Sequence, residues 1–224
     1  MNKKLINWLG LTGIIALISY TAAVIFSPLA FPGYDWISQA VSDLSAENAP
    51  SRILWNQLSA FYGVCSVVCV TLVSVFVAEH QTGTKLFRVG IYLFAIMNWI
   101  SKVGYDMFPL SESGRDINTF QSTMHIIVTV PVVLLSIVSL VLIIIAGFKK
   151  YGIKSLAVWA IIALAMMFIG AIGQGAVPKE YFGIVERCSV FAAVGFNAVL
   201  GVYLIGGFKQ DKLQTNTRGQ NHEK

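Results

Sequence analysis

Asn98, Lys102 and Asp106 recur at every fourth residue inside an otherwise apolar segment, which puts an amide and two ionisable groups on one face of a helix. Charged side chains at bilayer depth cost at least ~2.5 to 3.5 kcal/mol each on insertion scales, so their presence there calls for a partner or a function. Other apolar segments and the first loop offer such partners: Asp43, Asn56, His125, Glu186 and Arg187. An ammonium, carboxylates and a guanidinium at one depth suit a zwitterionic or anionic headgroup, because a guanidinium grips phosphate or carboxylate through two N–H groups. A histidine beside carboxylates also suits proton transfer. The bland readings are a self-satisfied Lys102–Asp106 pair that glues helices together, interfacial exposure of Glu186 and Arg187, and a hydrogen-bonded helix histidine.

Metal chemistry has little support in the spacing. The chain has three histidines, and His80 and His222 fall on the side opposite His125. His125 with Asp106 and Asp43 or Glu186 would supply a zinc-like set, but no HExxH or HxxxH spacing exists. Ser42 and Ser45 lie near Asp43 without a nucleophile elbow. Gly170, Gly173 and Gly175 follow no strand, so they read as helix packing rather than a dinucleotide loop. The sequence therefore assigns no catalytic residue, no metal and no cofactor.

The elements that must position these groups are membrane helices. Of 224 residues 56% are hydrophobic and 12% charged, against about 25% charged in soluble domains. The mean hydropathy is +0.70. A spanning helix needs roughly 20 apolar residues, and six stretches qualify: about Leu5 to Phe26, Leu54 to Ala78, Leu86 to Asp106, Ser122 to Ala146, Lys154 to Gln174 and Gly183 to Gly206. The expected fold is all-α, a polytopic six-transmembrane-helix bundle forming a single domain over 1–208, with a basic, disordered cytoplasmic tail over 209–224. The first span exceeds the ~7 to 15 residues of a signal-peptide core and reads as a retained anchor.

Eleven Lys and Arg residues (Lys3, Lys4, Lys85, Arg88, Lys149, Lys150, Lys154, Lys209, Lys212, Arg218, Lys224) fall on one side of this topology. The other side holds Arg52, Arg115, Lys179 and Arg187. Both termini are therefore expected in the cytoplasm of a cell-membrane protein. The formal charge of +5 is this positive-inside signature and requires no nucleic-acid partner. Cys65, Cys69 and Cys188 lie within or beside spans and suggest no disulfide framework.

Between spans one and two, Trp36, Ile37, Ala40, Val41 and Leu44 share one side of a helical wheel and Asp35, Gln39, Ser42 and Asp43 the other. This predicts a short amphipathic helix at the outer interface, anchored by Trp36. Pro109, Ser111, Ser113 and Gly114 predict turns in the third loop, with Glu112, Arg115 and Asp116 as a solvated surface. Gly147-Phe148-Lys149 and Gly207-Phe208-Lys209 read as two similar stops at the cytoplasmic interface. Polar stripes (Asn56, Ser59, Gly63, Ser66; His125, Thr129, Ser136; Glu186, Asn197) continue inward from the charged level and predict a polar funnel opening outward.

Ile37-Ser38, Ser42-Asp43-Leu44, Ala49-Pro50, Asn56 and Gly63, then Gly104 with Phe108-Pro109, His125 and Glu186-Arg187, give a pattern that resembles the prokaryotic six-span membrane proteins catalogued as domain of unknown function 998. The resemblance covers roughly Leu5 to Phe208 and implies membership and topology, with no activity attached. From the residues themselves, the first expectation is a pocket for a small amphiphile or a membrane-lipid headgroup. The alternatives are a sensor or partner subunit whose charges are structural, and an intramembrane lipid hydrolase using Asp106, His125 and Glu186. Oligomeric state is not legible.

Overall fold

The computed structural model describes residues 4–112, 119–149 and 152–208. Arg115 and Asp116 of the third loop, Lys150 and the basic tail 209–224 lie outside the described residues. Among those described, the chain is helical and has no strand. Its helices are α1 (Leu5–Trp8), α2 (Leu11–Phe26), α3 (Arg52–Leu58), α4 (Ala60–Glu79), α5 (Lys85–Met107), α6 (Phe120–Gly147), α7 (Lys154–Ala176) and α8 (Phe182–Gly206). Among the described residues six segments are long and apolar enough to cross a membrane, and the chain is a multi-pass membrane protein.

Successive spans pack as a ring in the order α2, α4, α5, α6, α7, α8, and α8 returns to α2. An α4–α8 contact crosses the ring and closes α2 into a three-helix wedge. One face carries the segment between α2 and α3 and is termed the loop face; the other carries Lys4 and Phe208 and is termed the end face. The apolar core fills the end-face half, where Val73, Phe76, Phe87, Phe94, Leu140 and Leu200 are buried together. Toward the loop face the inward sides of α5 and α6 become polar, with Asn98, Lys102, Tyr105, His125 and Thr129 half-buried.

Lipid tails are as apolar as leucine, so association in the membrane rests on close packing and interhelical hydrogen bonds. Glycines provide the first. A Cβ on Gly13 would lie 2.9 Å from Cys69 Sγ and 3.0 Å from the Asn197 carbonyl, and one on Gly201 would strike the Gly10 carbonyl. Gly170 and Gly173 do serve packing, since Cβ atoms there would meet Ser189 and Val185 of α8. A buried knot provides the second: the Ser66 hydroxyl donates to Asn98 Oδ1 at 3.0 Å and accepts from Asn197 Nδ2, joining α4, α5 and α8.

Two spans differ from the expected continuous helices. The first breaks at Leu9–Gly10, and there Asn7 donates to the Leu204 carbonyl at 2.8 Å, tying α1 to the last turn of α8. The second breaks at Ser59: the Tyr62 amide turns to the Ser59 carbonyl, and the freed Leu58 carbonyl accepts the Ser19 hydroxyl of α2 at 2.6 Å. Asn56 therefore sits on α3, ahead of the spanning helix, and is exposed. The two Gly-Phe-Lys stops also part company. Phe148 is exposed, whereas Phe208 is buried against Phe76, Phe87 and Tyr203 after Gly207 turns the chain at φ +70°.

The glycine contacts give a direct prediction. Gly13→Val should lower the thermal midpoint in detergent through overpacking, at about 1–3 kcal/mol. Gly195→Ala, where a Cβ meets nothing within 4 Å, should leave it unchanged.

Candidate functional site

The segment between α2 and α3 folds into turns with a 3₁₀ helix at Ser42–Ser45 rather than the regular amphipathic helix expected over Trp36 to Leu44. Its backbone groups are recruited elsewhere. Arg187 Nη1 donates to the carbonyls of Trp36 (2.8 Å), Gln39 (3.0 Å) and Gly183 (2.8 Å), and Nη2 donates to the Tyr34 hydroxyl at 2.6 Å. That hydroxyl donates to the Ala40 carbonyl at 2.7 Å, and the Ile37 carbonyl accepts from the Ile184 amide at 3.3 Å. On the donor side, the Ala40 amide reaches Asp43 Oδ2 at 3.0 Å and the Val41 amide reaches Glu186 Oε2 at 3.1 Å. A helix would have paired the Ala40 and Val41 amides with the Trp36 and Ile37 carbonyls.

Val41, Leu44 and Asp43 are buried in consequence, and Val41 packs against Tyr20 and Val194, so the segment plugs the loop-face end of the α2, α4, α8 wedge. Gly183 is required here, because a Cβ would collide with the Trp36 and Gln39 carbonyls. Trp36 itself stays exposed. Asp43, Glu186 and Arg187 thus come together, as a clamp closed on the protein's own backbone. Sequence reasoning missed Tyr34 and Gly183. The signal for Tyr34 was a hydroxyl-bearing ring in a loop already rich in turn residues.

Lys102 and Asp106 form a second group, an ion pair on α5. Their side chains are 35% and 60% exposed, in contrast to the clamp. The Lys102 stem lies on the α4 backbone: a Cβ at Gly63 would come within 2.6 Å of its Cδ and Cε. The remaining candidates are placed separately. Asn98 belongs to the buried knot and also donates to the Phe94 carbonyl at 2.9 Å. His125 lies against Tyr105 with ring centroids 4.7 Å apart and planes tilted by 32°, and Tyr105 shares a 3.0 Å hydrogen bond with Thr129. His125 Nδ1 lies 2.9 Å from the Phe108 carbonyl; since a carbonyl only accepts, Nδ1 carries the proton and Nε2 is left as the acceptor in the neutral ring. Among the described residues no group of three or more His, Cys, Asp or Glu could hold a metal, so Asp106, His125 and Glu186 form no such set.

Outside the spans, the clamp perturbs Tyr34. Burial pushes its phenol from 10.0 up to about 12, while the adjacent Arg187 guanidinium pulls the other way. The folded state keeps this proton where an unfolded chain releases it, so the stability associated with Tyr34 is intact below pH 10 and falls as pH rises toward about 12. Phenolate absorbance of the wild type minus that of Tyr34→Phe should therefore titrate near pH 12. A midpoint near the ordinary value of 10.0 would mean that the clamp is open. Arg187→Lys keeps the charge and loses the fork. It should speed hydrogen exchange at the Val41 amide and cost about 1.5–3 kcal/mol, the worth of a charge-assisted bond.

No curated protein and no solved structure matches the chain. A family model does, over residues 14–203, a range that takes in the plug, the clamp, the ion pair and His125. On that match, which runs from the first span into the last, the chain belongs to the family described as Protein of unknown function (DUF998).

Proposed function

We propose that this membrane protein binds or transports a small amphiphile or lipid headgroup at the loop face, and that Lys102 and Asp106 make the polar contact. The observation that carries this reading is the ion pair, left open and built against the preference of its own helix. Asp106 lies in the last turn of α5, where the helix dipole is negative, and Lys102 precedes it, the weaker order for an (i, i+4) pair. Helix stability does not account for such a pair. The clamp, by contrast, spends its charges on backbone groups of the plug.

The lysine and arginine distribution supports a loop face directed out of the cytoplasm of a cell membrane, with both termini inside. A second reading, structural charges in a sensor or partner subunit, has one observation in its favour: Lys102 already has a partner in Asp106 and a bed in Gly63.

Substitution separates the two. Lys102→Met and Asp106→Asn should each weaken retention of a co-purifying amphiphile in native mass spectrometry by about tenfold or more, a change of about 1.4 kcal/mol. The double variant should recover stability, since removing both partners leaves no orphan charge, yet still fail to retain the amphiphile. Full retention by the double variant would assign the pair to structure.

A further inference from the structure

We infer that the amphiphile is a zwitterion whose anionic group lies nearer its tail than its primary ammonium does, as in a phosphoethanolamine headgroup. This rests on the reading of Lys102 and Asp106 as a headgroup site. The two charges are ordered by depth. The C-terminal end of α5 opens on the loop face, and Lys102 precedes Asp106 by four residues, so its Cα lies about 6 Å deeper along the helix axis, and its side chain, which reaches up to the carboxylate, is 35% exposed against 60% for Asp106. The stem of Lys102 lies along Gly63, so a lipid entering from the loop face would meet the ammonium with its deeper group and the carboxylate with its shallower one. In a phosphoethanolamine lipid the deeper group is the phosphate, next to the glycerol and the tails, and the shallower is the amine.

Charge balance selects the same class. A purely anionic headgroup would gain Lys102 but lie against Asp106, and a cationic one would do the reverse. A zwitterion replaces each half of the ion pair with a charge of its own and leaves none uncompensated. Between ethanolamine and choline, a carboxylate favours the former, because a primary ammonium donates hydrogen bonds to it. A quaternary amine has no N–H to give and is recognised by aromatic faces instead.

The test uses the full-length chain, delipidated in a non-ionic detergent. Occupancy is read by native mass spectrometry with phosphatidylethanolamine, phosphatidylcholine and phosphatidylglycerol of identical acyl chains, and with water-soluble O-phosphoethanolamine. Phosphatidylethanolamine should bind about tenfold tighter than either other lipid. The exchanged variant Lys102→Asp/Asp106→Lys, which keeps a pair in reversed order, should lose that preference. O-phosphoethanolamine binding as tightly as the lipid would support the zwitterion and put its source in solution. Equal binding of phosphatidylglycerol, or an unchanged preference in the exchanged variant, would overturn the inference and leave the headgroup site standing. Binding of none of these ligands would overturn both.

Discussion

Everything at the loop face depends on one constraint: a charge or backbone polar group drawn toward lipid must find its partner inside the protein. Arg187 meets it by taking four oxygen acceptors from two elements, three carbonyls and the Tyr34 hydroxyl. In doing so it sets the shape of the plug. Two of its carbonyls, those of Trp36 and Gln39, are ones that a helix over Trp36 to Leu44 would have needed, and Asp43 and Glu186 take the amides of Ala40 and Val41. One guanidinium and two carboxylates thus convert an amphipathic stretch into a strap buried from Ala40 to Leu44 except at Ser42. The Lys102–Asp106 pair answers the same constraint differently, by facing its charges toward each other and staying accessible.

The ring of spans makes both arrangements available at one end of the molecule. Tight glycine contacts between α2 and α8, and between α7 and α8, fix the helices that carry the clamp. The Ser66, Asn98 and Asn197 knot fixes α4 and α5 just below the ion pair. Apolar packing is concentrated toward the end face, so the loop-face half is where polar groups can be held without breaking the core.

Much of this was legible in the sequence. Long apolar runs give spans whatever their tertiary partners, and the six found match those expected to within a few residues apart from the breaks. Those breaks were not legible, because the Ser59 kink is stabilised by a hydroxyl at Ser19, on another helix. The polar residues were singled out by type, but their grouping depended on contacts between distant segments. Glu186 and Arg187 are sequence neighbours of nothing in the plug, and Asn98 shares a helical face with Lys102 yet is engaged by Ser66. Periodicity assigns a residue to a face; it does not say which partner reaches that face first.

The clamp is closed on the plug and the ion pair is open. In a background with Cys65, Cys69 and Cys188 replaced by alanine, a membrane-impermeant maleimide can be applied separately to Asp106→Cys and Val41→Cys. Rapid labelling is expected at position 106 and none at position 41, where the native side chain is 2% exposed. Rapid labelling at 41 would mean an open clamp, and a position 106 that does not react from either side of the membrane would mean a closed ion pair.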